Sequence, residues 1–329
     1  MPPPGRSLPP VLITLFAVLT LLLVPTAAHA KSMKGSGKSE TITATHQRDK
    51  IDAKGGNDRI DALKGNDVVD AGAGNDQVNL GQGDDIAYGA AGDDALKGID
   101  GNDTIYGGEG DDTIVSGFDD DLVYGDTGND RISTGTGNDI SYGGDGNDFL
   151  NLGIGNDTAQ GDDGFDELNG IAGDDTLFGG NGGDWLKGGD GNDYLESDDG
   201  VGSCPIGSGI TKLAYRCKID GGNGDDVLVD GPGDRRLSGD AGFDTVWAGR
   251  GRDIVFGEEQ GAIVYAFADG DYDEIYCGSD GEVKALVYVG VNASDLPGGT
   301  SEDHVNNCTV TTVPAPPAGA PAIWLAQLP

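Results

Sequence analysis

Residues 53–79 read AKGGNDRID, ALKGNDVVD, AGAGNDQVN, and residues 188–196 read GGDGNDYLE, four copies of one nine-residue unit. From 53 to 196 sixteen copies follow one another with no slip in register. The sixth position is aspartate in every copy: Asp58, Asp67, Asp76, Asp85, Asp94, Asp103, Asp112, Asp121, Asp130, Asp139, Asp148, Asp157, Asp166, Asp175, Asp184 and Asp193. The fourth is glycine in fifteen of the sixteen, Asp119 being the exception, and the fifth is mostly Asn or Asp. The eighth is apolar in every copy except at Ser141, as in Ile60, Val69, Leu96, Ile105 and Leu195.

Each unit therefore reads as a Gly-rich turn followed by a very short strand. Alternation across positions seven to nine puts the apolar residue on one side and its neighbours on the other. One such strand buries nothing alone, whereas stacked units bury a continuous apolar file, the logic of a repeat solenoid.

Segments 107–115 (GGEGDDTIV), 143–151 (GGDGNDFLN) and 188–196 (GGDGNDYLE) resemble the hemolysin-type, or RTX, calcium-binding nonapeptide, GGxGxDxUx with U a large apolar residue. The resemblance covers about half the chain. In that family two successive nonads make one turn of a right-handed parallel β-roll, and calcium ions sit between turns on position-six carboxylates and backbone carbonyls. It implies two ladders stepping by eighteen residues, with Asp58, Asp76, Asp94 and onward to Asp184 on one edge and Asp67, Asp85, Asp103 and onward to Asp193 on the other. The expected fold is all-β: a right-handed parallel β-roll solenoid with calcium between turns, a disulfide-bearing insertion and a small β C-terminal cap.

Calcium chemistry asks for these residue types. The ion takes about six to eight oxygens, which carboxylates and main-chain carbonyls supply, and glycine lets a loop turn its carbonyls inward at positive φ. Coils stacked at about 4.8 Å bring rows of carboxylates close enough for repulsion to oppose folding without metal. Folding and calcium binding are thus expected to be one event, with the metal-free repeats largely disordered.

Composition agrees: 57 acidic against 20 basic residues, a formal charge of −37, 60 glycines and 6% aromatics. So negative a surface excludes nucleic acid as a partner. An acidic disordered chain has a similar composition, but disorder requires neither strict register nor a periodic apolar residue.

The ends speak to destination. Arg6, the mostly apolar run 11–24 and Ala28-His29-Ala30 predict a secretory signal peptide over 1–30. The run is too short for a membrane span, and no span is expected in the mature chain. Export by the general secretory route departs from RTX toxins and proteases, which typically lack an N-terminal signal. Four cysteines suit an oxidising compartment. They allow three pairings, and proximity favours Cys204 with Cys217 and Cys277 with Cys308.

Around this core the expected organisation is a linker with N-terminal capping turns over 31–52, where Glu40 and Asp49 keep the frame, and the sixteen nonads over 53–196. An insertion over 197–220 precedes four further nonads over 221–256, with Asp226, Arg235, Asp244 and Asp253 at position six. Arginine does not ligate a cation, so calcium sites there are expected to give way to ion pairs. A C-terminal cap over 257–313 covers the last open edge, and a flexible Pro/Ala-rich tail spans 314–329. The candidate metal ligands are the sixteen aspartates named above together with Asp226, Asp244 and Asp253.

One feature exceeds the repeat pattern. At position nine of the even nonads stand Tyr88, Tyr106, Tyr124 and Tyr142. They predict an outward aromatic file on one sheet, with the opposite sheet polar. Its meaning is either cross-strand stabilisation or a platform for a glycan or protein partner. No catalytic motif is found: neither HExxH nor G-x-S-x-G occurs. The function expected is that of a secreted calcium-binding repeat protein with a structural or adhesive role, not an enzyme. The alternatives are a calcium-dependent enzyme with its chemistry in 197–313, or a membrane-active toxin.

Overall fold

A strand of one inward apolar residue is stable only when the next coil covers it, and the chain achieves this by winding into stacked rungs. The computed structural model describes residues 31–197, 217–251, 253–257, 262–265, 274–277 and 304–306. Within them all strands are parallel and belong to two sheets, one of thirteen strands and one of fourteen, and consecutive strands alternate between the sheets as far as Glu274–Cys277. We call them sheet A, which includes Val68–Ala73, Ile86–Ala91 and Thr104–Glu109, and sheet B, which includes Gln77–Gln82, Ala95–Asp100 and Thr113–Phe118. Partners lie eighteen residues apart, as in Val68 with Ile86 and Gln77 with Ala95, so two nonads make one coil of a parallel β-solenoid. Among the described residues there is no helix, and so none long and apolar enough to cross a membrane.

The strands are longer than positions seven to nine. Most run for six residues, through positions one to three of the following nonad. Two residues of each therefore face inward, from positions eight and one. Leu96, Ile105, Ile114 and Leu168 at position eight are fully buried, and so are Ala71, Leu80 and Leu152 at position one. The position-eight file joins all coils into one core, and burying each Leu or Ile contributes about 1.5–3 kcal/mol. The longer strand also turns positions seven and three outward, which corrects the expectation that the opposite sheet is polar: Phe118, Ile154 and Trp185 are exposed on sheet B.

The winding extends beyond the regular repeats. Ser32–Lys34 pairs with Lys50–Asp52 and Thr41–Thr43 with Arg59–Asp61, so residues 31–52 already form coils in frame. Past the interruption Lys218–Asn223 pairs with Trp185–Asp190, and the winding resumes inside the stretch expected to be insertion. Ile219 faces the core there, but Cys217 holds the position-six place, and without aspartate the repeat was not legible. Ala262–Tyr265, Glu274–Cys277 and His304–Asn306 add further parallel rungs. The segments 1–30 and 314–329 and the residues Cys204 and Cys308 lie outside the described residues, so both expected cysteine pairings do as well. Cys217 is buried.

Position two carries a constraint that the sequence pattern hides. It is left-handed in coil after coil, as at Gly81 (φ 106°) and Gly108 (φ 116°), and equally where the residue is Ile99 (φ 108°) or Ile171 (φ 87°). A β-branched side chain is strained in that region. Ile99→Gly is therefore expected to raise the calcium-saturated stability by about 0.5–1 kcal/mol, the relief of left-handed strain less the entropy of an added glycine. Chemical denaturation measures it, and a loss of stability would show that the exposed Ile99 side chain matters more than its backbone.

Candidate metal centre

The turn between strands is built from positions two to six. Left-handed backbone at positions two and four, as at Ala90 (φ 82°) and Gly92 (φ 131°), reverses the chain and delivers the position-six side chain into the interior. All sixteen aspartates from Asp58 to Asp193 are buried, none more than 3% exposed, and so are Asp226, Asp244 and Asp253. The structure brings them together as two files. Asp58 to Asp184 line the edge where the chain passes from sheet A to sheet B, and Asp67 to Asp193, then Asp226 and Asp244, line the return edge.

Within each file one carboxylate oxygen is satisfied by the backbone. The Asp76 N–H donates to Asp94 Oδ1 at 2.7 Å, the Asp94 N–H to Asp112 Oδ1 at 2.7 Å and the Asp112 N–H to Asp130 Oδ1 at 2.8 Å. Asp49, in the expected N-terminal frame, joins the corresponding ladder on the return edge through Asp67 Oδ1 at 2.6 Å. A second, outer ladder runs the other way and was not foreseen. The position-five N–H donates to the side chain one coil earlier, as Asn129 to Asp111 at 2.8 Å and Asn138 to Asp120 at 2.7 Å. The preference for Asn or Asp at position five was its signal: a short side chain with an acceptor oxygen reaches the next coil's N–H.

The other inner oxygen has no such partner. Oδ2 of each of the sixteen aspartates, and of Asp226 and Asp244, is buried and accepts no hydrogen bond among the described residues. A buried carboxylate oxygen left this way costs more than almost any other polar group. These oxygens also face other oxygens. A methyl group built on Gly89 would collide with both Asp94 Oδ2 and the Gly107 carbonyl oxygen, and one on Gly125 with Asp130 Oδ2 and the Gly143 carbonyl. Position-one glycine thus keeps open a space where a carboxylate and a carbonyl from adjacent coils converge. Hard oxygen donors without a proton between them suit a hard divalent cation such as calcium. Among the described residues no three carboxylate, imidazole or thiolate side chains converge on one point; what converges beside each position-one glycine is one carboxylate with main-chain oxygens.

Burial governs the titration of these groups. Desolvation pushes Asp85, Asp94, Asp112, Asp148, Asp166, Asp175, Asp184 and Asp226 up to about 7 and Asp103 to about 8. Asp67, Asp121, Asp130, Asp157, Asp193 and Asp244 rise to about 6. The backbone N–H from the preceding coil holds each partly down, and neighbouring carboxylates push most of them further up. Asp76 and Asp139 are raised by burial too, and the N–H of the preceding coil offsets part of each rise.

The last coils depart from the pattern, as the sequence leads one to expect. Arg235 replaces aspartate, is buried, and forms an ion pair with the equally buried Asp230. Burial pulls its guanidinium down to about 10.

A family model described as the RTX calcium-binding nonapeptide repeat (4 copies) matches residues 52–87, 88–123, 115–150, 152–186, 169–202 and 231–261, more than half of the chain. No curated protein matches it.

A pH dependence follows in the absence of divalent cation. An aspartate that titrates near 3.8 when unfolded and near 7 when folded, such as Asp94, binds its proton more tightly in the coil. The metal-free roll is therefore favoured at low pH and loses stability as pH rises through about 7. In chelator, the β-sheet circular dichroism is expected to be stronger at pH 5 than at pH 8; equal signals would show that the carboxylates are not the source of instability.

Proposed function

We propose, given that the chain belongs to the RTX calcium-binding nonapeptide repeat family, that the position-six aspartates are its calcium ligands and that the roll folds as it loads calcium, serving as a secreted structural or adhesive element. The observation that carries this reading is the double file of buried Oδ2 atoms with no hydrogen bond. Asp58 to Asp184 would hold ions on one edge, Asp67 to Asp193 with Asp226 and Asp244 on the other, in concert with carbonyls such as Gly107 and Gly143. Asp253, whose surroundings include Arg235, is the least favoured of the assigned ligands.

Bound calcium supplies the positive charge that the carboxylates lack. The chain does the rest. Glycine at positions two and four sets the loop, the inner N–H ladder fixes one carboxylate oxygen, and the apolar file holds the coils in register. The proposed destination rests on the signal-like residues 1–30 and the four cysteines, paired as Cys204–Cys217 and Cys277–Cys308. A structural role is proposed over an enzymatic one.

For the tyrosine file we favour the structural reading. The rings of Tyr88, Tyr106, Tyr124 and Tyr142 stack with centroids 4.8–5.0 Å apart and planes within 9° of parallel. Each ring covers its neighbour's face, which removes the flat surface that a sugar would stack on and leaves ring edges outward. Tyr106→Ser breaks two such pairs and is expected to cost about 0.4–2 kcal/mol at roughly 0.2–1 per pair, with cell-surface and glycan binding unchanged; lost binding at unchanged stability would favour a partner instead.

Two measurements test the calcium reading. Circular dichroism titrated with calcium should show β structure forming, while magnesium, which keeps its waters and demands an octahedron, should substitute poorly. A full β signal in chelator at neutral pH would overturn the coupling. Asp112→Asn keeps the acceptor for the Asp94 N–H and removes the charge. It should lower stability by about 2–3 kcal/mol, the share of one site at free calcium one hundred times its dissociation constant, and raise the calcium midpoint.

A further inference from the structure

Arg235 follows Asp184 and Cys217 in the file on the A-to-B edge. Its backbone keeps the inner ladder, donating to Asp253 Oδ1 at 3.0 Å as the Asp166 and Asp226 N–H groups do to Asp184 and Asp244. Its side chain reverses the charge. The guanidinium is wholly buried against the carboxylate of Asp230, also wholly buried.

Asp230 stands at position one, the place that Gly89, Gly107 and Gly125 hold in regular nonads. In those coils a glycine leaves space beside a carboxylate at position six. Here position one carries the carboxylate and position six the cation, so the pair fills the same space from both sides. The Ser197 hydroxyl lies 3.2 Å from Asp230 Oδ1 and its oxygen accepts the Gly231 N–H at 3.0 Å, anchoring the anion. Asp184 and Asp253, from coils before and after, lie within the electrostatic reach of the same guanidinium.

We infer that Arg235 is a resident cation that takes the place of calcium in this turn, so that the metal file of the A-to-B edge ends at Asp184 while that of the return edge continues to Asp244. A divalent ion beside Asp230 would meet a fixed positive charge already seated on its ligand, with no water to screen the repulsion. The inference rests on the reading of regular position-six aspartates as calcium ligands. Its consequence is a roll whose calcium demand is uneven: one turn near the C-terminal end is closed by its own side chains.

Two experiments on the whole chain test it. Hydrogen exchange is followed across a series of free calcium concentrations, comparing amides of 231–235 with those of 110–112 on the same edge. The 231–235 turn should keep at least tenfold more protection at concentrations where 110–112 has lost its own. If it loses protection at the same or higher calcium, the inference is wrong; if 110–112 is protected regardless of calcium, the parent reading of the aspartates fails instead. The double substitution Asp230→Gly with Arg235→Asp rebuilds a regular nonad. Native mass spectrometry should then count at least one more bound calcium than in the unaltered chain. An unchanged count, in a variant whose 231–235 amides are protected in calcium, overturns the proposal. Should the variant not fold, the exchange comparison on the unaltered chain decides alone.

Discussion

Everything in this fold depends on a carboxylate that the backbone satisfies by half. In the regular turns before Asp184 the position-six N–H points to the next coil and finds Oδ1 of its aspartate, as Asp94 finds Asp112. The hydrogen bond fixes the carboxylate and, by fixing it, commits Oδ2 to the interior with no donor to meet it. Two unit charges about 4.8 Å apart repel by roughly 3.5 kcal/mol at an effective dielectric of about 20, and each carboxylate has one neighbour above and one below. Few domains hold a stability of more than about 5–15 kcal/mol. The position-eight file, one Leu, Ile, Val or Ala per nonad save at Ser141, offsets only part of that repulsion, and protons or bound cations at the carboxylates would relieve the rest.

The remaining features serve this arrangement. Glycine at position one leaves the space where Asp94 Oδ2 and the Gly107 carbonyl converge. Where another residue stands there, it adds to the core, as Leu80 and Leu152 do, or offers a hydroxyl, as Ser116 and Thr134 do. Left-handed backbone at position two is imposed even on Ile99 and Ile171, which shows that stacking dictates the loop and the side chain conforms. Outside, the position-five ladder links the same coils in the opposite direction, as from Asn129 to Asp111. Successive N–H groups of one turn thus reach to the coil after and the coil before, and a coil is held from both neighbours by side chains no longer than Asn.

Much of this was legible because the repeat is strict. An invariant Asp every nine residues and an apolar residue two places later gave the solenoid, its two edges and its eighteen-residue step. What stayed hidden was whatever one nonad shares with the next. The strand crosses the boundary between units, so position one faced inward unnoticed, and with it went the outward exposure of Phe118 and Ile154 at position three. The coil around Lys218 was invisible because Cys217 removed the Asp that marks a repeat, although Ile219 fills the core file as any position-eight residue does. The tyrosine spacing was plain, but only the stacked rings reveal that their faces are spent on each other.

The formal charge of −37 is then a structural quantity more than a surface property. Each coil brings two inner carboxylates, each with an oxygen that the polypeptide itself leaves without a donor. When ions bind the folded coil and not the unfolded chain, every site multiplies the folding constant by one plus the ratio of free ion to its dissociation constant. Near saturation a tenfold change in free calcium moves each site by about 1.4 kcal/mol, and these increments add along the roll because neighbouring coils share a fold. A short roll would respond gradually, whereas one of many coils turns a modest change of calcium into an all-or-none transition. On the proposed reading, sixteen repeats in unbroken register would make the sharpness of the calcium response a property encoded by repetition.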